Sequence, residues 1–129
     1  MTGSEGGSKG TIVVLSGDLF FGMRIRTTLR GMGYAGVLTK EAITFTEKLT
    51  SEEAPACLGF IDFNKPLEWD SLRVAIDSGV PIVAFGAHTD VDGFRMARSA
   101  GVTRVISNGS FSSSLPDLIE KYARRQAEG

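Results

Sequence analysis

Asp62 is the residue of this sequence best placed to do chemistry, because it follows the apolar segment 58–61 directly. A carboxylate in that position is partly removed from water, as working acids often are. The same side chain at the end of a buried segment also caps helices and accepts hydrogen bonds from loop amides. Residue type alone therefore leaves two roles open for Asp62: an acid that reacts, and a carboxylate that holds a loop.

Other reactive side chains are scarce. The sequence has one histidine, His88, and one cysteine, Cys57, and the order of elements described below places them at opposite edges of the fold. A hydrolytic enzyme needs a nucleophile beside a base, and a metal site needs several ligands close together. We therefore expect that the protein is not an enzyme.

Composition limits the class of protein further. Hydrophobic residues make up 42% of the chain, which is enough for one buried core. No apolar run approaches the ~20 residues of a membrane-spanning helix, and the N-terminus lacks a secretory signal pattern. The net charge of −1 gives no electrostatic case for nucleic-acid binding. We expect a cytoplasmic protein that binds neither nucleic acid nor membrane.

Short apolar segments alternate with helical patterns along the chain after residue 10. Five segments have the continuous, β-branched character of strands buried on both faces: 12–15, 34–38, 58–63, 81–85 and 102–106. Helical spacing predicts a helix after each strand, the third over 67–76 and the last starting with a capping pattern at Ser114. Residues 1–10 have little to bury and are predicted to form a disordered tail before a single domain over 11–126.

Strict alternation of strands and helices predicts an α/β fold of the flavodoxin-like, doubly wound class. The expected three-layer architecture has five parallel strands in the order 2-1-3-4-5, with the first and last helices on one face. In such sheets ligands bind at the carboxyl ends of the strands, beside the point where the strand order reverses. The residues predicted at that edge are Ser16, Gly17, Asp18, Asp62, Asn64, Gly86, Ala87 and Asn108.

Three segments of the chain resemble one protein family. Asp62-Phe63-Asn64-Lys65-Pro66 has the spacing in which the phosphoacceptor aspartate of response-regulator receiver domains is followed, four residues later, by proline. Pro81-Ile82-Val83, which opens the predicted fourth strand, also resembles receiver sequence. So does Ser99-Ala100-Gly101-Val102, which comes before the fifth. The chain is thus similar to the CheY-like receiver family over residues 11–125, which implies a module of two-component signal transduction or of a phosphorelay.

Most of the phosphorylation machinery that the resemblance implies is absent. The family's magnesium-binding acids fall on Ser16 and Gly17. Its hydroxyl residue falls on Gly86, its lysine on Asn108 and the proline after that lysine on Gly109. Its aromatic switch residue falls on Val105. Only the phosphoacceptor position, Asp62, keeps its residue. The pair Asn108-Gly109 is instead predicted to supply a loop residue with positive φ. The resemblance therefore implies the receiver fold and indicates a degenerate pseudo-receiver.

Physical chemistry makes these differences matter. Phosphoryl transfer to a carboxylate depends on positioning and on cations that offset the charge of the phosphoryl oxygens, and Mg²⁺ needs several oxygen ligands. Asp18 and Asp62 are only weak candidates for metal ligands, so we expect no cofactor. Lys65 could reach the site or remain solvated, and Asn64 could hydrogen-bond Asp62 and hold the loop in one state.

These observations favour a stand-alone pseudo-receiver that signals through protein–protein contact, without the usual Mg²⁺-dependent aspartyl phosphorylation. Two alternatives stay open: a genuine response regulator phosphorylated on Asp62, and a flavodoxin-like binder of a nucleotide or another small molecule, for which the sequence has no G-x-G-x-x-G loop. The expected partner is a histidine kinase, another signalling protein or a second copy of the chain. The basic face predicted to bind it carries Arg95, Arg98, Arg104 and Phe111.

Overall fold

The computed structural model describes residues 9–123. Its elements, in chain order, are β1 (Thr11–Leu15), α1 (Leu19–Gly31), β2 (Ala35–Thr39), α2 (Ala42–Leu49), β3 (Leu58–Asp62), a 3₁₀ turn (Trp69–Leu72) that runs into α3 (Arg73–Ile76), β4 (Ile82–Gly86), α4 (Val91–Ala100), β5 (Arg104–Ser107) and α5 (Asn108–Tyr122). The observed strand bounds agree with the predicted ranges to within two residues.

The ends of the predicted domain are tested only in part. Residues 1–8 of the predicted tail and residues 124–126 of the predicted domain lie outside the described residues. Lys9 and Gly10 were assigned to the tail, but the Lys9 N–H donates to the Gly33 carbonyl at 3.0 Å and the Gly10 carbonyl accepts from the Ala35 N–H at 2.9 Å. These two residues therefore extend the pairing of β1 with the chain that enters β2.

The sheet has the predicted order β2-β1-β3-β4-β5, and every neighbouring pair of strands is parallel. All five residues of β3 and all five of β4 are buried, as expected for central strands covered by helices on both faces. The flavodoxin-like, CheY-like fold predicted from the alternation of elements is thereby confirmed.

Helices pack on the two faces of the sheet as the crossover rule predicts. One face is covered by α1 and α5, and its core consists mainly of Ile12, Val14, Ile25, Leu29, Phe60, Val83, Phe85, Phe111, Leu115 and Ile119. The other face is covered by α2, α3 and α4, and its core includes Val13, Leu15, Phe45, Leu49, Ile61, Phe63, Leu72, Ile82 and Ala97. Alternate residues of each strand supply the two cores.

The third helix is shorter than predicted. A helix was expected over 67–76, whereas only the 3₁₀ turn and the four residues of α3 are helical. Pro66 supplies no N–H and disfavours helical backbone at the residue before it, and Glu68 is extended, with φ −91° and ψ 91°. The β3–α3 connection therefore stays open as a loop, which leaves Asn64 and Lys65 free to fold over the sheet edge.

The last helix begins six residues earlier than predicted, at Asn108 rather than Ser114. The Ser107 hydroxyl oxygen accepts a hydrogen bond from the Ser110 N–H at 3.1 Å and so caps the helix. The prediction of a positive-φ loop at Asn108-Gly109 is wrong, because both residues lie in the first turn of α5 and neither has positive φ. The early start brings Asn108 to the carboxyl edge of the sheet as a helical residue.

Within residues 9–123, none of the helices combines the length and the apolar character needed to span a membrane.

Candidate functional site

A cavity of about 400 Å³ opens at the carboxyl edge of the sheet, where β1 and β3 end side by side. Its lining residues come from the β1–α1 loop, the start of α1, the β3–α3 loop and the start of α5: Gly17, Asp18, Phe21, Asp62, Asn64, Lys65, Asn108 and Ser112. Five of the eight positions predicted at this edge line the cavity. Ser16 lies buried beneath it, and Gly86 and Ala87 do not line it.

Asp62 ends β3 and is buried, with 7% of its surface exposed. Its Oδ2 accepts a hydrogen bond from the Ser16 hydroxyl at 2.7 Å. Its Oδ1 accepts two hydrogen bonds from Asn64, one from the backbone N–H at 2.8 Å and one from the side-chain amide at 2.7 Å. Both carboxylate oxygens are thus held by neutral donors, and within residues 9–123 no cationic side chain forms an ion pair with Asp62.

Asn64 and Asn108 form a reciprocal amide pair above Asp62. Asn64 Nδ2 donates to Asn108 Oδ1 at 3.0 Å, and Asn108 Nδ2 donates to Asn64 Oδ1 at 2.9 Å. Because an amide nitrogen carries two hydrogens, Asn64 can donate to Asp62 and to Asn108 at the same time. The contact expected between Asn64 and Asp62 is confirmed, and the amide pair extends it to tie the β3–α3 loop to the start of α5.

Phe63 fills the space in front of Gly86, the position where the family has a hydroxyl residue. A Cβ added to Gly86 would lie 2.3 Å from Cε1 and 2.6 Å from Cδ1 of the Phe63 ring. The ring is fixed by an edge-to-face contact with Phe94, at 5.5 Å between centroids, and by a tilted contact with Trp69 at 6.1 Å. Sequence reasoning missed this contact, although glycine at the end of a buried strand is a signal of close approach.

The β1–α1 loop is held by Asp18 and Ser16. Asp18 caps α1, because its Oδ1 accepts from the Phe21 N–H at 3.0 Å. Ser16 Oγ accepts from the Asp18 N–H at 3.0 Å while it donates to Asp62. Both side chains are therefore committed to structural contacts.

Lys65 reaches the cavity from the opposite loop. A Cβ added to Gly17 would lie 3.2 Å from Lys65 Cδ and 3.5 Å from its Nζ, so the lysine side chain crosses in front of position 17. The sequence left two places open for Lys65, and the structure places it at the site.

The donor set does not fit Mg²⁺, which the receiver family binds at this edge. Magnesium requires near-octahedral oxygen coordination with one or two carboxylates directed at the ion. Here Asp18 is used as a helix cap, both oxygens of Asp62 are hydrogen-bonded, and Lys65 brings a positive charge to the same cavity. Nowhere in the described part of the chain do three or more His, Cys, Asp or Glu side chains cluster as metal ligands would.

One of the four residues predicted on the partner face is buried. Phe111 is only 1% exposed and stacks on Phe85 with ring centroids 3.9 Å apart, so its assignment to an exposed face is wrong. The ring points into the core because α5 begins early enough to turn this residue toward the sheet. Arg95, Arg98 and Arg104 are exposed, as that face requires.

Together, the strand order, the five helices and the aspartate at the end of β3 define the fold of CheY-like response-regulator receiver domains. The chain is similar to the chemotaxis response regulator CheY4 of Vibrio cholerae, with a TM-score of 0.73 and 12% identity over 89% of this chain and 99% of that one. Its similarity to the BeF3-activated N-terminal receiver domain of Klebsiella pneumoniae RstA has a TM-score of 0.72, with 17% identity over 90% of this chain and 100% of that one.

A higher identity, 27%, is found with the response regulator StyR, at a TM-score of 0.69. That match covers 90% of this chain but 60% of StyR. The sequence matches no family model, and no curated protein matches it. The resemblance inferred from the sequence is therefore confirmed through the fold.

Proposed function

We propose that this chain is a pseudo-receiver: a receiver-like signalling module that acts by protein–protein contact and is not switched by Mg²⁺-dependent phosphorylation of Asp62. The observation that carries the proposal is the closed hydrogen-bond network around Asp62. Ser16 and Asn64 engage both of its oxygens, and the amide pair with Asn108 lies where the family has its lysine.

The network opposes phosphoryl transfer in two ways. Donated hydrogen bonds stabilise the carboxylate as it stands, so attack on a donor requires at least part of that stabilisation to be lost. An incoming phosphoryl group is itself anionic, and catalysis depends on fixed cations that offset its charge. Asn108 is neutral, and the metal-binding acids are replaced by Ser16 and Gly17.

The path from the site to the rest of the fold is also altered. In the family, a hydroxyl residue and an aromatic residue change position on phosphorylation, whereas Gly86 has no side chain to move. Val105, at the aromatic position, packs partly buried against the core of α2, α3 and α4. The site is held in one hydrogen-bonded arrangement and lacks these movable groups. Both features favour a binding surface that is present without phosphorylation.

The chemical test is intact-protein mass spectrometry after incubation with acetyl phosphate and Mg²⁺. We expect no phosphoryl adduct on the wild-type protein, and Asp62→Asn serves as the matched control because it keeps the side-chain shape. An adduct that forms on the wild type and not on the variant would refute the pseudo-receiver and support a response regulator phosphorylated on Asp62.

The surface proposed for the partner is α4 with the neighbouring edge of β5. On α4, Val91 and Met96 expose 65% and 49% of their surfaces beside the exposed Arg95 and Arg98. The ion pair of Arg95 with Asp92, at 2.9 Å, is exposed and therefore weak, so Arg95 remains available. Arg98 is exposed, with its guanidinium 5.5 Å from the centroid of the Phe94 ring. Apolar side chains flanked by arginine fit an acidic partner protein.

The binding test compares capture of partners from native cell extract by the wild type and by Arg95→Glu/Arg98→Glu. We expect the double reversal to abolish capture that the wild type shows. Lys40→Glu/Lys48→Glu is the matched control, because it makes the same change of charge at exposed residues beside and on α2. Equal losses in the two variants, or no loss in the first, would contradict the assignment of the surface.

A further inference from the structure

The cavity at the sheet edge contains one cation and two carboxylates that are already in use. Asp18 caps α1 and Asp62 accepts three hydrogen bonds, as described above. Lys65 also lines the cavity. The ion pairs among residues 9–123 are Arg73–Asp77 and Arg95–Asp92, so the Lys65 ammonium is not paired with any carboxylate of that region.

The position of Lys65 is defined by its contact with Gly17. Its Cδ, Nζ and Cε lie 3.2, 3.5 and 3.7 Å from the Cβ that any larger residue at position 17 would have. Gly17 does not have positive φ, so the backbone there does not require glycine. What glycine provides is space, and the lysine side chain occupies it.

We propose that Lys65 is the built-in cation of this site: it crosses Gly17, sets a positive charge in the cavity shared with Asp62, and closes that cavity to divalent metal ions. Both the charge of Lys65 and the space it occupies oppose a metal ion in this cavity. Lys65 is exposed, so water screens part of its charge, but a divalent cation entering the cavity would still meet that like charge at short range. A carboxylate at position 17 would meet the ammonium first and pair with it.

The experiment compares Mg²⁺ binding by isothermal titration calorimetry for the wild type, Gly17→Asp and Gly17→Asp/Lys65→Ala. We expect no saturable binding to the wild type and weak binding to Gly17→Asp. The double variant should bind Mg²⁺ at least about tenfold more tightly than Gly17→Asp, which corresponds to about 1.4 kcal/mol of repulsion removed. Gly17→Asn/Lys65→Ala is the matched control, because it keeps the side-chain shape at position 17 without the charge, and it should not bind.

Each other result overturns the proposal. Saturable Mg²⁺ binding to the wild type would show that the cavity is open. Equal affinities of Gly17→Asp and the double variant, or no binding to either, would show that Lys65 does not control access.

A second measurement needs no metal. Thermal melting of the wild type, Gly17→Asp, Lys65→Ala and the double variant forms a double-mutant cycle, in which pairing of Asp at position 17 with Lys65 gives a favourable coupling. A coupling of zero would refute the placement of Lys65.

These assays use neither a phosphoryl donor nor a partner protein. If Lys65 does not exclude Mg²⁺, the test of partner binding still stands. If the protein binds no partner, the test of Lys65 still stands.

Discussion

We expect the Gly86→Ala substitution to destabilise the protein, although alanine is ordinarily the better residue in a strand. The added methyl would lie 2.3 Å from Cε1 of Phe63, and two more ring carbons are at 2.6 and 2.7 Å. Carbon atoms in contact sit about 3.5–4.0 Å apart, so the ring must move by roughly 1 Å or more. Phe63 is 4% exposed and held against Phe94 and Trp69, so any movement of the ring disturbs these two aromatic contacts.

The magnitude follows from two opposing contributions. Overpacking of a filled core costs about 1–3 kcal/mol. Replacing glycine restricts the unfolded chain and returns about 0.4–1 kcal/mol where the backbone tolerates alanine. The midpoints of these two ranges give an expected net loss of roughly 1.3 kcal/mol, and the large overlap between the methyl and the ring favours the upper part of the overpacking range. Phe63→Leu, which vacates part of the ring volume, should relieve the clash.

Urea unfolding of the wild type, Gly86→Ala, Phe63→Leu and the double variant measures this coupling. Far-UV circular dichroism is the primary signal, because Trp69, the single tryptophan, lies beside Phe63 and reports local changes as well. The double variant should be more stable than the sum of the single losses predicts, by about 0.5 kcal/mol or more.

Gly109→Ala is the control for the intrinsic effect of the substitution. Nothing lies within 4 Å of a Cβ added there, and the residue is in the first turn of α5. This variant should be as stable as the wild type or more so. Additive losses in the cycle, or a Gly86→Ala protein as stable as the wild type, would refute the packing of Phe63 over Gly86.

Two further predictions use the same unfolding measurement. Ser16→Ala removes the hydroxyl that donates to Asp62 at 2.7 Å, and it should lower the free energy of unfolding by about 1.5–3 kcal/mol, because the acceptor is a buried charge. An effect no larger than that of Ser113→Ala, a control at an exposed serine, would contradict this prediction. Phe111→Ala should lower the free energy of unfolding by about 3–5 kcal/mol, because the ring is 1% exposed. Phe20→Ala is the control, because that ring is 78% exposed, and it should change stability by less than about 0.5 kcal/mol. Similar losses for the two variants would show that Phe111 is not a core residue.

The fold was predictable because its evidence is distributed along the chain. Continuous apolar segments such as 12–15 and 58–61 alternate with helical patterns, and only a parallel sheet with helices on both faces buries them all. The order 2-1-3-4-5 then follows from short right-handed crossovers. Helix ends were less predictable because they depend on single contacts. The cap at Ser107 outweighed the capping pattern at Ser114, and Pro66 with the extended Glu68 shortened the third helix.

The site was predictable where residues are neighbours in sequence or in the strand order. Asp62 and Ser16 end adjacent strands, so their contact follows from topology, and the bond from Asn64 spans two residues. Contacts between side chains of distant segments were not predictable. The packing of Phe63 over Gly86 depends on how the ring is held by α4 and the 3₁₀ turn. The burial of Phe111 depends on where α5 begins.

The differences from the receiver pattern at Gly17, Gly86 and Asn108 are each matched by a neighbouring side chain. Three pairs show this: Lys65 crosses Gly17, Phe63 covers Gly86, and Asn64 binds Asn108. A site that had only lost its functional groups would leave space or unpaired polar atoms, whereas within residues 9–123 no buried side-chain nitrogen or oxygen lacks a hydrogen-bond partner. A family residue restored at one of these positions alone would meet a neighbour that already fills the space or uses the hydrogen bond. Recovery of the receiver chemistry therefore requires changes in pairs, which is the behaviour expected of a self-consistent arrangement with its own packing.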